Sequence, residues 1–98
     1  MKVLWTDRAR RHLRAIHDYI AGDSPRNAIR FVDRITRKSE LLGRSPRLGH
    51  VVPEYDSTSI RQILEGNYRI IHRVWQEQVE VLAVIHAARE LPPLKSLT

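Results

Sequence analysis

The chain has 98 residues, the length of one domain, enough to bury a single modest core and too few for two. It holds no cysteine, which excludes disulfides and thiolate metal sites, and no apolar run approaches the roughly 20 residues that a membrane span requires. Seventeen Lys and Arg against eleven Asp and Glu leave a net charge of +6, and fourteen of the cations are arginine, whose planar fork suits carboxylate and phosphate. Charged residues follow directly on Met1–Thr6 and leave no signal-peptide core. The expectation is a soluble cytoplasmic chain with an acidic partner, which basic charge alone leaves open as nucleic acid, an acidic protein segment or both.

Lys2-Val3-Leu4-Trp5 reads as a short opening strand, and Thr6-Asp7 supplies an N-cap and a first-turn acid for a helix from about Asp7 to Ala21. Ala9, Leu13, Ile16 and Ile20 recur on one face of that helix. Gly22-Asp23 ends it. Ser24-Pro25 opens the next helix with serine as cap and proline at the first helical position, and Ala28, Val32, Ile35 and Leu42, with Phe31 beside them, give its stripe. So short a turn predicts an antiparallel helical hairpin. The arginines of both helices fall mostly off the stripes, with Asp7 to Arg11 and Asp33 to Arg37 as expected surface pairs. His12 and His17 stand five apart and make no metal pair, and neither a metal nor a cofactor is expected.

Residues 43–59 hold too many turn formers for a long element and read as an ordered connector. Ser59–Glu65 then reads as a strand, Gly66-Asn67 as a two-residue hairpin turn, and Tyr68–Trp75 and Val79–Arg89 as two further strands. The fold class is α+β: a short first strand, a two-helix hairpin, then a three-stranded antiparallel meander, with the helices on one face of the sheet and residues 1–98 forming one domain. Pro92 and Pro93 end the last strand, since neither has an N–H to donate.

Arginine and histidine inside strands mark a face that is more than core. With facing residues of the last hairpin summing to 155, Val74 meets Val81, His72 meets Ala83 and Ile70 meets Ile85 on the helix side. The opposite, helix-free face then brings Arg69 across from His86, with Arg73 and Trp75 beyond. The Gly66-Asn67 turn places Ile60, Gln62 and Leu64 on that same face and Arg61 on the helix side, and a bulge would reverse the assignment.

The element order, with Tyr19-Ile20-Ala21, Pro46-Arg47-Leu48-Gly49, Val52-Pro53-Glu54, Ser59-Ile60-Arg61, Asn67–Val74 and Val84–Arg89, resembles the RelE/ParE toxin family, many of whose members are called plasmid stabilisation proteins. The resemblance covers nearly the whole chain. It implies the toxin of a type II toxin–antitoxin pair, neutralised by a small cognate antitoxin whose flexible acidic-amphipathic tail wraps the toxin in a heterodimer or larger hetero-oligomer. RelE-like members cut messenger RNA on the ribosome. By resemblance Arg69 and Arg89 would hold the phosphate, His86 would act as acid or base, and Glu54 is the one carboxylate at a motif position. ParE-like members instead inhibit DNA gyrase. The positions sharing Arg69's face, Ile60, Gln62 and Leu64, are not the basic residues of the cleaving branch, and nothing after Arg89 can act as a base. This pattern favours gyrase inhibition, with the ribosome-dependent endonuclease as the alternative and a basic nucleic-acid-binding module without toxicity as the third reading. In any of these, Arg61, Arg69, Arg73, Trp75 and Arg89 are the residues expected to bind antitoxin or target.

Overall fold

The computed structural model describes residues 1–98. β1 (Lys2–Trp5) leads into α1 (Asp7–Ala21) and α2 (Pro25–Arg44); β2 (His50–Val51), β3 (Ile60–Glu65), β4 (Tyr68–Trp75) and β5 (Gln78–His86) follow, and a 3-10 turn (Leu94–Ser96) lies in the tail. The strands form one sheet in the order β1-β5-β4-β3-β2, with β1 parallel to β5 and the other neighbours antiparallel.

The helices begin where their capping residues stand. Thr6 Oγ1 accepts from the Ala9 N–H at 3.1 Å and Ser24 Oγ from the Asn27 N–H at 3.2 Å, each satisfying one donor that a helix start leaves unpaired. Asp33 pairs with Arg37 at 3.2 Å as expected, but Asp7 pairs with Arg10 at 4.0 Å and not with Arg11. Ala9, Phe31, Ile35 and Leu42 bring the helical stripes down onto Ile63, Ile70, Val79, Val81 and Val84 of the sheet. That burial of apolar surface holds the two layers together.

Three expectations need correction. The connector contributes a strand of its own, since His50 and Val51 pair with Gln62 and Arg61; two residues are too few to carry a periodicity signal. The face away from the helices is not open. Val52 and Tyr55 of the connector and Leu91, Leu94 and Leu97 of the tail pack there on Ile60, Ile71, Leu82, Ala83 and Ile85 as a second core, and Tyr55 Oη donates to the Pro92 carbonyl at 2.6 Å to join the two covering segments.

The third correction is register. Gln76 and Glu77 both adopt positive φ, 51° and 59°, and close the last hairpin as a two-residue loop, so Val74 faces Val79, Arg73 faces Glu80 and His72 faces Val81. The centre of the hairpin lies one residue earlier in the chain than expected, and the conformation of its loop is the one whose twist matches the flanking strands. A bulge then inserts Leu82, and beyond it Ile71 faces Ala83, Ile70 faces Val84, Arg69 faces Ile85 and Tyr68 faces His86. Leu82 and Ala83 both lie in the second core, and from there the alternation of β5 is reversed. Arg69 therefore does not stand across from His86. In the β3–β4 hairpin the parity is as expected: Glu65 faces Tyr68 and Leu64 faces Arg69 across the Gly66-Asn67 turn.

Candidate functional site

Arg69 projects from the start of β4, as its second residue, onto the face covered by the connector. Its Nη1 lies 2.8 Å and 3.0 Å from the two carboxylate oxygens of Glu54 and 3.3 Å from Gln62 Oε1, and its side chain is only 15% exposed. The guanidinium is thus neutralised and mostly enclosed, with a loop carboxylate and a neighbouring strand amide as its partners. Glu54 in turn raises the Tyr55 phenol pKa, after burial as the larger cause, while Arg69 opposes that rise.

Arg73 lies further along the same face. Its Nε donates to Glu80 Oε1 at 2.8 Å, and its guanidinium carbon sits 4.4 Å from the centroid of the Trp75 ring, which is 49% exposed. Arg61 points to the helix side, where its Nη1 donates to the Gly49 carbonyl at 3.3 Å. Three of the five expected binding residues therefore have internal partners. Trp75 and Arg89 remain the exposed members of that set.

His86 lies on the helix side of the sheet. Its ring meets Tyr68 edge-on at 5.0 Å, Tyr68 meets Phe31 in the same manner at 4.9 Å, and His86 Nδ1 accepts from the Ala88 N–H at 3.0 Å. Arg69 and His86 are thus carried on opposite faces of the sheet, and the structure does not bring Arg69, His86 and Arg89 together as one constellation. Arg89 follows in the turn after β5, its N–H bonded to the His86 carbonyl at 3.0 Å, and enters no ion pair.

Two histidines not expected at a site hold the structure around it. His12 Nδ1 accepts from the Val84 N–H at 3.3 Å, just past the bulge. Thr6 completes the attachment, because its N–H and Oγ1 both donate to the Val81 carbonyl, at 3.1 and 3.2 Å. β1 ends opposite Val81, so the backbone groups beyond would otherwise lack strand partners. Burial, followed by the charges of Arg8, Arg11 and Arg89, lowers the His12 pKa. His72 is fully buried; burial lowers its pKa against the opposing effect of the Ile70 and Leu48 carbonyls, and its Nε2 meets no hydrogen-bond partner.

An open cleft runs along the helices. Trp5, Leu13 and Val32 form its apolar floor, and Arg10, Arg14 and His17 stand on its rim with Asp18. Sequence reasoning assigned Leu13 and Val32 to the core stripe and these arginines to solvent. The signal was that both stripe residues remain half-buried beside Arg10, Arg14 and His17, of which Arg14 has no ion-pair partner, and this appears only once the helices are packed.

The family described as ParE toxin of type II toxin-antitoxin system, parDE, matches residues 3–91 of the chain. No protein with curated annotation matches it in sequence. A solved structure described as the chromosomal ParDE TA system from P. aeruginosa superposes with a TM-score of 0.73 at 22% sequence identity, over 88% of this chain and 95% of that one. At that identity the likeness is one of fold, and it includes the mixed arrangement of two helices on a five-stranded sheet.

Proposed function

The chain belongs to the ParE toxin family of type II toxin–antitoxin systems, and from that premise we propose that it acts on DNA gyrase by binding and not by cutting RNA. The observation that carries this reading is the disposition of Arg69 and His86. RNA cleavage by attack of a 2′-hydroxyl requires a free cation at the phosphate and an acid or base within reach of the same atoms. Arg69 is held by Glu54 and Gln62, and His86 is directed to the other face, against Tyr68. A binding toxin needs no such convergence.

The helix cleft supports a second part of the proposal. An antitoxin segment with apolar side chains on one face and acids at its edges fits an apolar floor of Trp5, Leu13 and Val32 rimmed by Arg10 and Arg14. Trp75 with Arg73, and Arg89, are left for the target.

The test is pulse-labelling in bacteria in the minutes after the chain is induced alone, with purified gyrase supercoiling assayed in parallel. Thymidine incorporation is expected to fall before leucine incorporation, and supercoiling to be inhibited. A first fall in leucine incorporation, with messenger RNA cut on ribosomes, overturns the reading in favour of the endonuclease.

A further inference from the structure

A second basic surface lies on the other side of α1 from the cleft. At 100° per residue, His12 and Arg8 stand on one flank of the buried stripe with Arg11 beyond them at the solvent-facing pole, while Arg10, Arg14 and His17 share the opposite flank. The hydrogen bond from the Val84 N–H to His12 holds the first flank against β5, whose end carries the turn to Arg89. Arg8, Arg11 and Arg89 all lower the His12 pKa, after burial as the larger cause, in keeping with their place on this side of the molecule. None of the three enters an ion pair, although Asp7 and Glu90 adjoin them in sequence; Asp7 turns to Arg10.

Arginines on one side of the molecule without a carboxylate partner repel one another, and an anion relieves that repulsion. The surroundings identify the kind of anion. A surface that docks protein has an apolar centre and a polar rim, as the cleft has. None of the exposed large apolar side chains comes from residues 7–18 or 86–90. A cationic surface without an apolar centre fits the phosphate backbone, which presents charge and no apolar face.

We propose that Arg8, Arg11 and Arg89, grouped around His12 where α1 meets the end of β5, form a binding site for the phosphate backbone of nucleic acid. The site is separate from the antitoxin cleft and shares only Arg89 with the surface left for the gyrase target. Binding is insensitive to base sequence and strongly dependent on salt, because each arginine that engages a phosphate releases condensed counterions.

The experiment is fluorescence anisotropy of the full chain with labelled DNA and RNA duplexes of about 20 base pairs across a series of salt concentrations. Wild type is compared with the triple variant Arg8→Gln, Arg11→Gln, Arg89→Gln, and with the control triple Arg26→Gln, Arg30→Gln, Arg44→Gln, which removes the same charge from unpaired surface positions of α2. Thermal melts of all three establish that they fold. The site variant is expected to lose on the order of 10- to 100-fold in affinity and to lower the slope of log K against log salt by about 3, roughly one per arginine, with the control losing much less. The tighter of the two duplexes identifies the nucleic acid. Equal losses in both triples overturn the proposal in favour of diffuse charge. Polyglutamate competing as well as duplex of equal charge overturns it in favour of an acidic protein, and absence of duplex binding by wild type at the lowest salt overturns it outright.

Discussion

Glu54 in the connector and Arg69 in β4, fifteen residues apart in sequence, form an ion pair at 2.8 Å that clamps the loop onto the sheet. Glu54 is 41% exposed while Arg69 is 15% exposed, so solvent screens one partner and the asymmetry matters. Glu54→Ala leaves a mostly enclosed guanidinium with Gln62 alone and is expected to cost about 1–2 kcal/mol. Replacing both residues, Glu54→Ala with Arg69→Met, is expected to restore part of that loss. A double-mutant cycle by urea denaturation measures it, and additive losses would show that the two side chains act separately.

Gly49 and Gly66 both have positive φ, 89° and 58°, but their surroundings differ. A Cβ at Gly49 would run into the Gln62 carbonyl oxygen and come within 2.7 Å of Ile63 Cγ2, whereas one at Gly66 meets nothing within 4 Å. Gly66→Ala is expected to cost about 1 kcal/mol of conformational strain. Gly49→Ala is expected to cost more than about 3 kcal/mol, because it separates β2 from β3 as well. Equal melting temperatures for the two variants would contradict this.

Thr6 caps α1 and donates to Val81 at the bulge, so one hydroxyl serves two elements. Thr6→Val keeps the shape and removes both bonds. The expected loss is about 1–2 kcal/mol, with hydrogen exchange accelerated at Ala9, whose N–H the hydroxyl accepts. Unchanged exchange there would remove the capping role.

His12 and His72 both have pKa values below the ordinary 6.5, chiefly through burial. Folding favours their neutral forms, so the unfolded chain binds more protons once the pH drops under about 6.5. Their contribution to stability is full above that pH and is lost as the pH falls from there through the lowered values. The melting temperature of wild type should decline between pH 7 and 5, and His72→Leu should flatten part of the decline. A variant with the same slope as wild type would exclude His72 as its source.

Leu97 is 4% exposed and belongs to the second core with Ile71 and Leu82. Leu97→Ala is expected to destabilise by about 2–3 kcal/mol, a size reserved for core residues and testable by denaturant titration. A loss within 0.5 kcal/mol would mean that the tail lies on the sheet without supporting it.

The elements were legible because local chemistry determines them: Thr6 and Ser24 as caps, Pro25 at the first helical turn and the helical stripes all lie where the sequence predicts. The β3–β4 register was legible for the same reason, since a Gly66-Asn67 turn leaves little choice. Two determinants are not local. The bulge at Leu82 depends on Thr6 and His12, some seventy residues earlier, supplying partners for backbone groups that a regular strand would leave unpaired. The second core depends on Leu91, Leu94 and Leu97, in a tail from which the sequence yields only that Pro92 and Pro93 end the last strand, and which Tyr55 ties down through Pro92. Both omissions fell on the candidate site: the first moved His86 away from Arg69, and the second covered the face on which Arg69 lies.

β1 pairs with β5 in parallel, Lys2 opposite Gln78. β1 therefore waits for β5, 76 residues later in the chain (78 − 2). At about 5–20 residues per second that interval is roughly 4–15 seconds, during which the helical hairpin has no completed sheet to rest on. The sheet closes only after β5 has left the exit tunnel. Until then the opening strand of a growing chain has no neighbour to pair with, and its helical hairpin has only itself to pack against.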